Sequence, residues 1–266
     1  MQKLLFTGAS GFLGYNTRHI LEKTYDVHTI GLTDDDDIKF NIAKDVPPIN
    51  THYDVVLHAA GKAHTVPKTE AEKQVFYDVN YHGTVNLCKA LENAGVPKAL
   101  VFISTVAVYG CEFGDLVSEE HPLEGTSPYA ESKIMAEKYL TEWCEKHGVI
   151  LGILRPSLLA GRKAPGNLGA MVNGIKKGFY LNIAGGKVKK SILMAEDIAH
   201  LLPLLVEKGE CIMSVIPTSL HSERLLLRLL SNLASINPSA FPIGWLGVWL
   251  KGGICWDQSR PLIHTN

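Results

Sequence analysis

Residues 7–14 read TGASGFLG. They follow the apolar run KLLF at residues 3–6 and lead into a helical pattern from about Gly11 to Lys23. Gly8, Gly11 and Gly14 are spaced G-x-x-G-x-x-G. A chain that turns sharply from strand to helix, and lets a pyrophosphate reach its backbone at the helix N-terminus, needs residues without Cβ atoms there. A tight turn with no ligand would use the same residues, and one glycine motif is weak evidence by itself. Its place between a strand and a helix makes the phosphate cradle the stronger reading.

Working outward, apolar runs alternate with helical patterns. DVHTIGL precedes the acidic run Asp34–Asp37, which reads as a solvated turn. YDVVLHAAG leads to a long helical stretch through DVNYHGTVNLCKALENAG, and KALVFISTV to the helix of YAESKIMAEKYLTEWCEKHG. VILGILRPS follows. Continuous apolar strands alternating with helices predict an α/β fold with a doubly wound parallel sheet. Such sheets bind ligands at the carboxyl ends of their strands.

The bulk numbers fit a globular chain. Of its 266 residues, 46% are hydrophobic and 20% charged, and the net charge is −1. No basic excess points to nucleic acid. No apolar stretch is long enough to predict a membrane span. Five scattered cysteines without C-x-x-C spacing argue for a reducing compartment, so a cytoplasmic location is expected. His58 and His64 read as ordinary strand and loop positions, without the spacing of a metal pair, and no metal is expected.

SPYAESK, residues 127–133, sets Tyr129 one helical turn before Lys133. With TGASGFLG, LHAAG, DVNYHGT, ISTVAVYG, EEHPLEGTSPYAESKIMAEK, ILRPS and ILMAEDIA in order, residues 1 to about 208 resemble the extended short-chain dehydrogenase/reductases, in their nucleotide-sugar epimerase/dehydratase branch. The resemblance implies a Rossmann-type sheet and an NAD cofactor, with NADP left open. It makes Tyr129 the acid/base, with its pKa lowered by the Lys133 ammonium. Thr105 would hydrogen-bond the reacting oxygen, with Ser104 as the neighbouring alternative. Cofactor contacts carry over to Gly8, Ser10, Gly11, Phe12, Leu13, Gly14, Asn41, Ile42, Leu57, Ala59, Ala60, Gly61, Asn80, Tyr129, Lys133 and Pro156. Arg155 belongs to the same "RP" pair as Pro156. Substrate contacts carry over to Thr105, Asn167 and Lys190. Residues 1–160 form the dinucleotide-binding domain, with 180–200 returning to it. Residues 161–179 and 201–266 form a small, incomplete substrate lobe.

Five departures matter. The second strand ends at Gly31, where an acidic residue commonly binds the adenosine ribose. Position 32 is Leu, not the basic residue many NADP users offer, and Asp34–Asp37 would repel a 2′-phosphate, so NAD is preferred. Lys190 stands where sugar-nucleotide enzymes have Arg, and it cannot bind a phosphate bidentately. Val106-Ala107 replace the Asp-Glu of dehydratases, which leaves an epimerase or ketoreductase acting on a sugar or nucleotide-sugar. After Gly209 the resemblance stops. Reading two bases on permits Tyr-Asn-Val, the family's next strand, so residues 210–266 read as an out-of-frame tail. A catalytically silent NAD(P)-binding regulator and an inactive frameshifted product are the alternative functions. A homodimer through the helices carrying Asn80 and Tyr129 is expected by analogy.

Overall fold

β1 (Gln2–Thr7) buries four consecutive side chains, Leu4 to Thr7. β4 (Val55–His58) and β5 (Ala99–Ile103) bury every one of theirs. A strand covered on both faces has no solvent side on which to alternate, and this is the pattern of a parallel sheet between helices. The computed structural model of the chain, which describes residues 1–63, 65–111, 117–177, 191–208 and 211–212, has that arrangement. β2 (Tyr25–Gly31), β3 (Ile38–Lys39), β6 (Ile150–Leu154) and β9 (Cys211–Ile212) complete a seven-stranded sheet. Its order is β3-β2-β1-β4-β5-β6-β9, with every pairing parallel. The chain order reverses between β1 and β4, so the ligand crevice of such a sheet lies at their carboxyl ends, Thr7 and His58.

Helices cover both faces. α3 (Gly83–Ala94) and α4 (Pro128–His147) supply Leu87, Leu91, Ala136, Leu140 and Trp143 to one core, against Val56, Leu100 and Phe102 of the sheet. Each fully buried Leu or Phe of this kind contributes about 1.5–3 kcal/mol relative to exposure. α6 (Ala195–Lys208) takes the other face, where Leu205 lies against Gly152 and Val101, and it packs on α1 (Phe12–Leu21). β7 (Leu158–Ala160) and β8 (Ile192–Met194) form a separate two-stranded parallel sheet. They fall with α5 (Gly166–Lys176) in a second compact unit. α6 belongs to the first unit, although its latter half lies in the 201–266 stretch expected in the substrate lobe. Residues 213–266, most of the stretch read as an out-of-frame tail, lie outside the described residues.

Local signals explain the helix that carries Tyr129. Ser127 caps α4, its hydroxyl accepting the Ala130 N–H at 3.2 Å, and Pro128 occupies the first turn, where no N–H partner is needed. Gly148 closes the helix at φ 67°. α2 (Glu70–Tyr77) starts on a Thr69 cap and runs into a π-helical turn, Asp78–His82, before α3. Such turns re-aim side chains and cluster at functional sites. This one buries Asn80 completely.

Candidate functional site

The glycine loop has the shape its spacing predicts. Gly8 sits at φ 75°, and a Cβ there would stand 2.8 Å from Ala60 Cα, so only glycine lets the two strand ends close together. A Cβ on Gly14 would run into the backbone of Ala9, 2.5 Å from its Cα, so α1 can pack on the loop only with glycine there. Gly11 precedes α1, whose first turn has no acidic residue and no side-chain cap. No acidic residue of the first turn competes for its first amides, and the helix end favours a negative charge. Ser10 and Gly11 are exposed, Phe12 is half-buried, and Leu13 is buried. This cradle fits the pyrophosphate of a dinucleotide cofactor.

The acidic run after β2 is not simply a solvated turn. Asp34 is exposed and pairs with Lys39 at 2.5 Å. Asp36 and Asp37 instead turn back on the strand. Asp37 accepts the Thr29 N–H at 2.8 Å and the Thr29 hydroxyl at 3.0 Å. Burial works to raise its pKa, but these bonds and the Arg18 and His28 charges outweigh it, so the carboxyl is held low. Asp36 accepts the Thr33 N–H at 3.0 Å and its hydroxyl at 2.7 Å. Its carboxylate lies where a side chain on Gly31 would begin, with Cγ 2.7 Å from that Cβ position.

At the β4 end, a chain of buried hydrogen bonds runs across the crevice. Ala60 N–H donates to the Thr7 hydroxyl at 3.1 Å, and the Thr84 hydroxyl donates to the Asn80 carbonyl at 2.7 Å. Thr84 can then only accept from His58 Nε2, at 2.8 Å, which leaves Nδ1 to accept the Thr7 hydroxyl at 2.6 Å. His58 is thereby fixed neutral, protonated on Nε2. Its pKa is pushed down to about 3 by burial, assisted by the nearby Lys133 charge. Sequence reasoning passed over His58 because its partners lie 51 and 26 residues away. Asn80 uses both ends of its amide. Oδ1 accepts the Lys62 N–H at 2.7 Å, and Nδ2 donates to the Lys62 carbonyl at 3.2 Å and the Ser132 hydroxyl at 2.9 Å. It thus ties the segment after Gly61 to α4.

Thr105 follows β5 and lies beside Tyr129, and Lys133 reaches Ile103 at the end of the same strand. The Thr105 hydroxyl hydrogen-bonds the Tyr129 phenol, whereas the Ser104 hydroxyl is donated to buried Glu137. Burial raises the phenol pKa, and the Thr105 bond only partly opposes it. This differs from the lowering expected from Lys133, because burial governs the phenol. The Lys133 ammonium donates to the Ile103 carbonyl at 2.8 Å and lies 4.4 Å over the Phe102 ring, and a Cβ on Gly61 would stand 3.2 Å from it. Burial lowers the Lys133 pKa to about 8, with Glu137 acting the other way. Arg155 does not end in open space. It forms a buried pair with Glu137, Nη2 to Oε2 at 2.7 Å, and donates to the Tyr109 hydroxyl at 2.9 Å and the Glu119 carbonyl at 3.0 Å.

The remaining expected residues divide. Ala59 and Ala60 are half-buried and Gly61 exposed beside the glycine loop, but Leu57 is wholly core. Asn41 Oδ1 accepts the Ala43 N–H at 3.0 Å in a local turn, and Ile42 is buried against Gly83. Pro156 is buried, its carbonyl accepting from Val106 N–H at 3.2 Å. Lys190, His64 and the side chain of Asn167 lie outside the described residues.

A family model, the NAD dependent epimerase/dehydratase family, matches residues 4–214. The N-acetyl-alpha-D-glucosaminyl-diphospho-ditrans,octacis-undecaprenol 4-epimerase of Escherichia coli O157:H7 is 30% identical over 273 residues, covering 96% of this chain and 78% of that protein. The UDP-glucose 4-epimerase of Vibrio cholerae is 30% identical over 224 residues, covering 77% of this chain and 66% of that protein. Among solved structures, the UDP-N-acetylglucosamine 4-epimerase from Methanobrevibacter ruminantium M1, in complex with UDP-N-acetylmuramic acid, matches with a TM-score of 0.69 at 24% identity. That match covers 80% of this chain and 76% of the other, and at such identity it speaks for the fold.

Proposed function

The chain belongs to the NAD dependent epimerase/dehydratase family, and from that premise we propose that it epimerises C4 of a sugar carried on a diphosphate, with Tyr129 as the acid/base. It is an NAD(P)-dependent enzyme of the epimerase/dehydratase type. The observation that supports the finer reading is that Tyr129 lies beside Thr105 while Lys133, one helical turn on, bonds Ile103 at the carboxyl end of β5, in the same sheet as the glycine cradle. Two relatives named as 4-epimerases act on sugars joined through a diphosphate, one to a nucleotide and one to a polyprenol.

The bound nicotinamide cofactor would supply reversible hydride transfer. Gly8, Gly11, Gly14 and the first amides of α1 would hold its pyrophosphate. Thr105 holds the substrate oxygen next to the phenol. The proton then moves between that oxygen and Tyr129 Oη. Burial makes the phenolate costly, so it forms only against a compensating positive charge. Lys133, one helical turn on, carries that charge at neutral pH because its pKa stays near 8. The homodimer belongs to this proposal too. Exposed Met135 on α4 and Val75 on α2 offer apolar surface for it, and sedimentation tests it.

Tyr129→Phe tests the acid/base role. With UDP-glucose and UDP-N-acetylglucosamine as substrates, turnover should fall about 10²–10⁴-fold. Affinity for NAD should change little. Full turnover by the variant would sink the reading.

A further inference from the structure

β2 ends at Gly31, so no side chain of its own can receive the adenosine ribose at that place. We propose that Asp36 supplies the missing carboxylate from the following loop, and that this carboxylate makes the protein prefer NAD to NADP. The inference rests on the NAD(P) dependence above and refines it to one residue and one cofactor.

The first argument is position. A Cβ built on Gly31 would fall 2.7 Å from Asp36 Cγ and 2.8 Å from Oδ1. The carboxylate therefore fills the space that a longer side chain at the strand end would take. The second is orientation. Thr33 fixes the carboxylate through Oδ2, with its N–H at 3.0 Å and its hydroxyl at 2.7 Å. Oδ1 has no hydrogen-bond partner among the described residues, and Asp36 is only 8% exposed. Oδ1 keeps accessible surface, so it can accept from a ligand, and a ribose diol provides two hydroxyls.

The third argument is surroundings. Asp36 lines a cavity of about 410 Å³ together with Ala9, Ser10 and Gly14 of the glycine loop. That loop is tied to the end of β2 by the Gly8 N–H bond to the Ile30 carbonyl at 3.1 Å. A dinucleotide whose pyrophosphate lies on the loop would bring its adenosine ribose to this cavity. The charged side chains around it are Asp35, Asp36 and Glu22 against Arg18, and Arg18 is held by Glu22 at 2.7 Å. His19 lines it as well. A 2′-phosphate would add its negative charge to this surplus and take the place of one ribose hydroxyl donor.

The test measures equilibrium binding of NAD and NADP by calorimetry, with no substrate present. NAD should bind at least about tenfold more tightly, the equivalent of one charge-assisted hydrogen bond. Asp36→Asn should weaken NAD binding and narrow the ratio. Because Asp36 also anchors Thr33, the variant pair Gly31→Asp with Asp36→Gly serves as the control. It returns the carboxylate to the strand end and should recover the NAD preference. Equal or tighter NADP binding by the unaltered protein would overturn the inference. So would an unchanged ratio in a folded Asp36→Asn protein, or a failure of the folded double variant to recover it. Binding of neither dinucleotide would overturn the cofactor reading itself, a different result from loss of discrimination.

Discussion

Acid should weaken this protein through one residue, His58. Its ring is fully buried between Thr7 and Thr84, and its pKa is pushed down to about 3. In the unfolded chain the same ring titrates near 6.5. Between these values the unfolded state binds one proton more than the folded state. The contribution is therefore complete above about pH 6.5 and is lost as pH falls toward about 3. The slope is about 1.4 kcal/mol per pH unit, and by about pH 4.5 the loss amounts to roughly 3 kcal/mol. Typical total stabilities are roughly 5–15 kcal/mol, so one residue removes a large share. Carboxylates also respond to acid, so the comparison must isolate the ring. His58→Gln removes its titration while keeping hydrogen-bonding groups. Urea unfolding of both proteins at pH about 7.5, 6.5, 5.5 and 4.5 gives the difference curve. The advantage of the unaltered protein should shrink by about 1.4 kcal/mol per unit below about 6.5. A difference that stays constant across the range would refute the reasoning. So would a ring resonance of His58 that titrates near 6.5 in the folded protein.

Two other perturbations have outcomes that follow from the geometry. Gly14→Ala forces a Cβ into the Ala9 backbone, which cannot give way without moving α1, so dinucleotide binding should be lost. Calorimetry with NAD checks it, and unchanged affinity would contradict the tight packing. Glu137→Ala removes the buried carboxylate that holds Arg155 and Ser104. Stranding the guanidinium should cost about 3–5 kcal/mol, which lowers the melting temperature by about 6–20 °C. A fall of less than about 2 °C would mean that the pair is dispensable.

Much of the site could be read along the chain because its determinants are local. The glycine spacing in TGASGFLG, the alternation of apolar runs with helices, and the four-residue interval from Tyr129 to Lys133 all act within one or two turns of backbone. The cap and proline of SPYAESK act over the same short range. Residue types and spacing suffice there, since the neighbours that matter are close in sequence.

What the amino-acid order determined by itself was the parallel sheet, the glycine loop after its first strand, and the helix that carries Tyr129 and Lys133. Tertiary structure alone decided what surrounds them. It set the Asp36 carboxylate over Gly31, within a run that reads as a solvated turn. It buried His58 between two threonines and fixed its proton on Nε2. It turned Asn80 inward on a π-helical turn to hold the Lys62 backbone and Ser132. It also raised the Tyr129 pKa, because burial of the phenol outweighs its hydrogen bond to Thr105. Asp36 is fixed within its own loop, by Thr33 three residues before it, whereas the other three share one physical reason. Hydrogen bonds and desolvation depend on which atoms surround a group, and here most of those atoms come from strands and helices far away in the chain.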